Sequence, residues 1–239
     1  MSTPFQPFSL ANIQAVMIDL DGTMVDTMGD FEAALNLCLA DIDLPKVSPA
    51  VVNIAVGKGS EHLIRTVLRH QLDLPEVKAS GMVCDNTGVE NLYEPAFARY
   101  QHHYEKVNGK FADVYAGVLP GLQQLQARGL KMACLTNKPT AFAKALLADK
   151  GLAGFFSHVY GGDAFPRKKP DPMPLLETCK ALGTIPSRTL MLGDSQNDAL
   201  AARAAQCPVV LVTYGYNHGE PIQGVDCDGF IDRIDELKD

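Results

Sequence analysis

Ala15-Val16-Met17-Ile18-Asp19-Leu20-Asp21-Gly22-Thr23 is a four-residue apolar run that meets two carboxylates and a glycine. An apolar run this short, bounded by polar residues, suits a strand covered on both faces, as in a parallel sheet. Carboxylates at i and i+2 leave an extended segment on one side, and Gly22 permits a sharp turn after them. Such a pair can divide labour: one oxygen attacks phosphorus while the other group moves a proton. An Asx turn capping a strand has the same composition, so the pair alone leaves both readings open.

The same pattern recurs downstream. Leu130–Leu135 leads into Thr136, His158–Tyr160 into Gly161-Gly162, and Thr189–Leu192 into Gly193-Asp194, while Val209–Val212 follows Pro208. Between these runs lie helical patterns over Gly121–Gly129, Ala141–Lys150, Pro174–Leu182 and Asn197–Ala205. Alternation of strand and helix predicts an α/β fold, a doubly wound, Rossmann-like parallel sheet. Residues 28–110 break the rhythm with helical patterns at Asp30–Ala40, Ser60–Gln71 and Asn91–Val107 and no convincing strand. The expected organisation is an α/β catalytic core of residues 1–27 and 111–239, with an all-helical cap domain of residues 28–110 inserted after the first strand.

Composition narrows the function classes. The 239 residues are 46% hydrophobic and 21% charged, ordinary for a folded chain that needs no disulfide or metal staple. A formal net charge of -7 disfavours a nucleic-acid binder that works through a basic surface. No apolar run approaches the ~18 residues of a membrane span, and the first eight residues lack the pattern of a secretory signal. The six cysteines form no C-x-x-C pair and read as reduced thiols of a cytoplasmic protein.

Polar clusters end four predicted strands, and ligands of open α/β sheets bind outside those carboxyl ends. Beside Asp19 and Asp21, Thr136-Asn137-Lys138-Pro139 offers a hydroxyl and backbone amides to phosphate oxygens at a helix start. In Arg167-Lys168-Lys169-Pro170-Asp171-Pro172, a lysine set before proline can neutralise phosphate charge in a transition state. Gly193-Asp194-Ser195-Gln196-Asn197-Asp198 is oxygen-rich and suits a hard cation such as Mg²⁺. Taken singly, these clusters read equally as a capping turn, a solvated basic loop and a helix N-cap.

In this order, DLDGT, LTNKP, KKPDP and GDSQND make the chain resemble the haloacid dehalogenase-like hydrolase superfamily. The resemblance covers the whole chain and puts the helical insert where that family carries its cap. It implies that Asp19 is the nucleophile that forms an aspartyl-phosphate, and that Asp21 is the general acid and then the general base. It implies further that Thr136 and Lys169 hold the phosphoryl group, with Asn137 and Ser195 adding donors. Mg²⁺ would be bound by Asp19, Asp194 and the Asp21 backbone carbonyl, while Asp198 orients Lys169 or the metal's surroundings. Dehalogenase and phosphonatase members lack an acid at the position of Asp21, so its presence favours phosphate ester hydrolysis or a phosphomutase.

Specificity is expected from the cap. In Val56-Gly57-Lys58-Gly59-Ser60, two glycines around a lysine can close a projecting cation over an acidic substrate, although an exposed turn lysine reads equally well. With VGKGSEHLI, LTNKP and GYNHGEPI, the likeness is greatest to bacterial phosphoglycolate phosphatases. That implies a small phosphorylated acid, 2-phosphoglycolate, as substrate, Lys58 on its carboxylate, and no nucleic-acid or membrane partner. Gly215–Gly219 reads as a surface loop with a solvated His218. Two rivals use similar clusters: a β-phosphoglucomutase-like sugar-phosphate mutase, and a phospho-accepting receiver module. Chain length, the insert and the second carboxylate stand against the receiver.

Overall fold

The computed structural model describes residues 8–238. The reading of the N-terminal segment rests on residues 1–7, which lie outside that range. In chain order the elements are β1 (Ala15–Ile18), β2 (Val25–Asp26), α1 (Met28–Ala40), α2 (Pro49–Ala55), α3 (Ser60–Asp73), α4 (Pro75–Ala79) and α5 (Asn86–Val107). There follow β3 (Asp113–Val114), α6 (Val118–Ala127), β4 (Lys131–Leu135), α7 (Thr140–Asp149), β5 (His158–Tyr160) and α8 (Met173–Leu182). The chain ends with β6 (Thr189–Gly193), α9 (Gln196–Ala205), β7 (Val209–Val212) and β8 (Gly229–Ile231).

Six strands form one parallel sheet in the order β5-β4-β1-β6-β7-β8. The fold is α/β with a doubly wound parallel sheet. Its core follows from the period of two along β1. Val16 and Ile18 pack into one apolar cluster with Val118, Leu122 and Leu146 of α6 and α7. Ala15 and Met17 enter the opposite one with Leu175, Cys179, Ala199 and Ala202 of α8 and α9. All four β1 side chains are fully buried, as a run without polar alternation requires. The chain leaves β1 first for β4 on one side and later for β6 on the other. The crevice at that reversal lies at the carboxyl ends of β1 and β6, where Asp19 and Asp194 stand.

Helices α1 to α5 gather around their own cluster, with Leu35, Leu39, Ile64, Leu68, Tyr100 and Tyr104 almost fully buried. A two-residue antiparallel ladder, Val25↔Val114 and Asp26↔Asp113, closes the two crossings between this helical lobe and the sheet. Five short elements escape the sequence pattern, β2 and β3 of that ladder among them. α2 and α4 are only seven and five residues long, each started by a proline in its first turn. β8 is three residues at the sheet edge, completed by pairing with β7. α5 begins at Asn86, earlier than its apolar period indicates, because Asp85 accepts from the Thr87 and Gly88 amides at 2.8 and 3.1 Å.

Candidate active site

β1 continues past Ile18 far enough for the Asp19 amide to reach the Leu192 carbonyl of β6 at 2.9 Å. This pairing sets Asp19 at the sheet rim, beside the end of β6. One carboxylate oxygen each from Asp19, Asp194 and Asp198 lies within 4.8 Å of the others, and all three residues are buried. Glycines make the space. A Cβ on Gly22 would stand 2.1 Å from Asp194 Oδ2, and one on Gly215 would stand 2.2 Å from Asp194 Cβ.

Lys169 reaches the same rim from the loop before α8 and is 3% exposed. Its Nζ donates to Asp198 Oδ1 and to the Leu135 carbonyl, both at 2.7 Å, and lies 3.0 Å from Asp19 Oδ1. The last contact is an ion pair, and among the described residues Asp19 Oδ1 has no other donor. Asp198 is braced on its other oxygen, where Oδ2 accepts from Ser195 Oγ at 2.8 Å and from the Ser195 and Asp194 amides at 3.2 and 3.3 Å. This is the reciprocal box that starts α9. Asp194 Oδ2 accepts from the Tyr216 amide at 2.6 Å.

Burial drives the electrostatics. It pushes the Asp19 carboxyl up to about 6; Lys169 opposes the shift, and Asp198 and Asp21 add to it. Asp194 is raised well above the carboxylate range by burial and then by Asp198 and Asp19. Burial alone would discharge Lys169, but Asp19 and Asp198 together outweigh it and hold the ammonium charged. Three buried carboxylates therefore share one ammonium. The donors are all oxygen and close together, and Asp19 Oδ1 has the Lys169 ammonium as its one partner; such a set fits a hard divalent cation.

Asp21 points elsewhere. Its Oδ1 accepts from Thr27 Oγ1 at 2.9 Å, and Lys138 Nζ reaches its two oxygens at 3.0 and 3.3 Å. The carboxylate of Asp21 thus stands apart from the other three and lines an enclosed chamber. Asp19, Thr136, Asn137 and Lys138 line it from the sheet side, and Phe31, Gly57, Gly59, Tyr100 and Tyr104 from the helical lobe. Its cavity volume is about 30 Å³, room for a water or two.

Thr136 is held by its amide on the Tyr160 carbonyl at 3.0 Å, and its Oγ1 accepts from the Lys138 amide at 3.2 Å. Asn137 Nδ2 donates to the Lys169 carbonyl at 2.8 Å and to the Gly57 carbonyl at 3.0 Å, tying the helical lobe to the rim. The residues singled out from the sequence therefore converge, with one exception. Lys58 is half-buried and lines an open groove that it shares with His62, Arg65, Lys168 and Lys169, while its neighbours Gly57 and Gly59 line the chamber.

Sequence reasoning passed over Lys138 and Tyr216. The only signal for Lys138 was its place inside LTNKP. The loop after β7 also corrects the expectation of a solvated segment: Tyr216 and Asn217 are 7% and 8% exposed. The Tyr216 hydroxyl accepts from the Thr27 and Met28 amides at 2.9 and 3.2 Å and bonds Asp26, so it braces the start of α1. The His218 ring lies against Gly57 and meets Asn197 Nδ2 through Nε2 at 3.2 Å. Burial and the nearby Lys58 cation hold this ring below the usual histidine range.

Comparison with known proteins agrees with this geometry. A family model described as haloacid dehalogenase-like hydrolase matches residues 13–206. The phosphoglycolate phosphatase of Thiobacillus denitrificans is 39% identical over 224 residues, covering 94% of this chain and 93% of that one. The phosphoglycolate phosphatase of Vibrio cholerae is 37% identical over 229 residues, covering 95% and 96%. A crystal structure from Haemophilus somnus 129PT, titled as that of a predicted phosphoglycolate phosphatase, superposes with a TM-score of 0.86 at 30% identity, covering 95% and 96%.

Proposed function

The chain belongs to the haloacid dehalogenase-like hydrolases, and from that premise we propose that it is a Mg²⁺-dependent phosphatase that converts 2-phosphoglycolate to glycolate and phosphate. The observation that carries the reading is the parting of the first two carboxylates. Both line the chamber, but Asp19 also joins the buried acidic cluster, while Asp21, two residues on, stands apart from it. An attacking group and a proton donor need that separation.

In the first step a carboxylate oxygen of Asp19 attacks phosphorus. The bond from phosphorus to the glycolate oxygen breaks, and Asp21 gives that oxygen its proton, so no bare alkoxide leaves. Asp21, now a carboxylate, takes a proton from water as the water attacks phosphorus. The bond to Asp19 breaks, and inorganic phosphate and the free carboxylate are restored. Thr136, Asn137 and the Lys169 ammonium hold the phosphoryl oxygens, and Asp198 aims Lys169. Asp19, Asp194 and the Asp21 carbonyl would hold Mg²⁺, which when bound screens the repulsion between the phosphate dianion and the attacking carboxylate.

Residues 28–110 act in this reading as the cap, which opens to admit the ester and closes to exclude water. A chamber this small favours small esters. Lys58 and Lys168 at the outer groove draw the anion in. Among the described residues no helix is long and apolar enough to cross a membrane. Six free cysteines suit a cytoplasmic enzyme.

The test is phosphate release from 2-phosphoglycolate, sugar phosphates and nucleotides, each with Mg²⁺ and with chelator. The expected result is Mg²⁺-dependent release with 2-phosphoglycolate preferred. Isomerisation of a sugar phosphate without release would turn the reading to a mutase, and faster release from another ester would replace the substrate.

A further inference from the structure

Among the described residues lining the chamber, Lys138 is the one cation. Its side chain is 2% exposed. Besides Asp21, its Nζ bonds the Tyr104 hydroxyl and lies 4.8 and 4.6 Å from the ring centres of Phe31 and Tyr104. Val56, Leu63, Tyr100 and Phe142 add apolar and aromatic wall, opposite the polar side of Asp19, Thr136 and Asn137.

We propose that Lys138, and not Lys58, is the residue that binds the substrate's carboxylate. The inference rests on the proposed phosphatase reading and deepens it. Two arguments carry it. The first is stereochemical. In 2-phosphoglycolate one methylene separates the leaving oxygen from the carboxylate carbon. The group that protonates the leaving oxygen therefore has the carboxylate as its neighbour. Lys138 touches both oxygens of Asp21, while Lys58 lines a groove outside the chamber.

The second argument is the lining. Among the described residues Lys138 is the one cation on the chamber wall, and Phe31 and Tyr104 pack on its ammonium, so a carboxylate entering beside Asp21 meets Lys138 as its one cationic partner. An ester without a carboxylate makes no such pair, so the chamber selects for an acid as well as for small size.

The experiment compares kcat/KM for 2-phosphoglycolate with that for 2-hydroxyethyl phosphate, which has nearly the same size and no carboxylate. Lys138→Met removes the charge and keeps the length. Any loss of Asp21 positioning affects both esters and cancels in the ratio. The preference for 2-phosphoglycolate should fall roughly 10- to 100-fold, the range expected for a desolvated charge-assisted contact. Lys58→Ala should leave the ratio within about threefold. Calorimetric titration of 2-phosphoglycolate into Asp19→Asn, with and without Lys138→Met, should show the same loss in affinity without turnover. Lys138→Gln repeats the test should the methionine variant fail to fold.

Equal losses for both esters in Lys138→Met would reduce Lys138 to a positioning residue for Asp21 and overturn the inference. A ratio that collapses in Lys58→Ala instead would do the same. A wild-type enzyme with no preference between the two esters would reject the proposed substrate itself, which is a separate outcome.

Discussion

Gly22→Ala tests how the buried acidic cluster is built. Gly22 has φ +82°, and an added Cβ would stand 2.1 Å from Asp194 Oδ2 and 2.8 Å from Tyr216 Cδ2. Left-handed backbone costs a non-glycine residue ~1–2 kcal/mol. Forcing a methyl into a filled site costs a further ~1–3 kcal/mol. The sum is about 2–5 kcal/mol, and at ~2–4 °C per kcal/mol for a chain of this size Tm should drop by roughly 4–20 °C. Gly81→Ala is the control. Its φ is +86°, but nothing lies within 4 Å of its Cβ, so only the backbone cost applies. That cost is partly offset by ~0.4–1 kcal/mol from a stiffer unfolded chain. Because the methyl also displaces Asp194, Gly22→Ala should weaken Mg²⁺ binding at least tenfold, whereas Gly81→Ala should leave it unchanged. Thermal unfolding and calorimetric Mg²⁺ titration read both effects. Equal Tm losses in the two variants, with Mg²⁺ affinity retained in Gly22→Ala, would refute the claim that Gly22 is needed to seat Asp194.

Further outcomes concern the same carboxylates and the thiols. Asp19→Asn should abolish phosphate release without lowering the Tm of the chelated protein, because it relieves repulsion among three buried carboxylates; residual turnover without deamidation would reject covalent catalysis there. Asp21→Asn should slow turnover and let a phosphorylated enzyme accumulate, detectable as a mass increase after acid quench; faster turnover than wild type would contradict its proton-transfer role. Burial raises the Asp19 carboxyl from 3.8 to about 6, so its contribution to chelated-protein stability is full below 3.8 and is lost as pH rises through 6. Mg²⁺ should therefore raise Tm more at pH 7.5 than at pH 5, and equal increments at the two would count against the cluster as its site. Cys38, Cys134, Cys179 and Cys207 are buried, and no thiol touches the chamber, so gentle alkylation should spare activity; complete loss with the fold retained would say otherwise.

The acidic rim was legible because each part is local. Ile18 is buried and Asp19 follows it directly, so a strand-end carboxylate can be read from adjacent letters. Thr136, Lys169 and Asp194 likewise lie in short motifs next to strands or in the loop that follows one. Helices α2 and α4 and strand β8 were not legible, since runs of three to seven residues carry too little period to be recognised.

The parallel sheet, the run of helices after β1 and the strand-end carboxylates Asp19 and Asp194 can be read from adjacent letters. Strand period, helix period and glycine turns act over a few residues, and the order of motifs along the chain restricts how they can assemble. Which lysine lines the chamber depends on packing between distant segments. Lys58 between two glycines drew the expectation, and Lys138 inside LTNKP was passed over, but Phe31 and Tyr104 pack on Lys138 while Lys58 lies in the outer groove. Such packing likewise turned Gly215–Gly219 inward, because the Tyr216 amide is needed by Asp194 and its hydroxyl by the amides that open α1. Those partners stand 22, 189 and 188 positions away in the chain, beyond the reach of any local pattern, and meet only when the sheet and the helical lobe have packed.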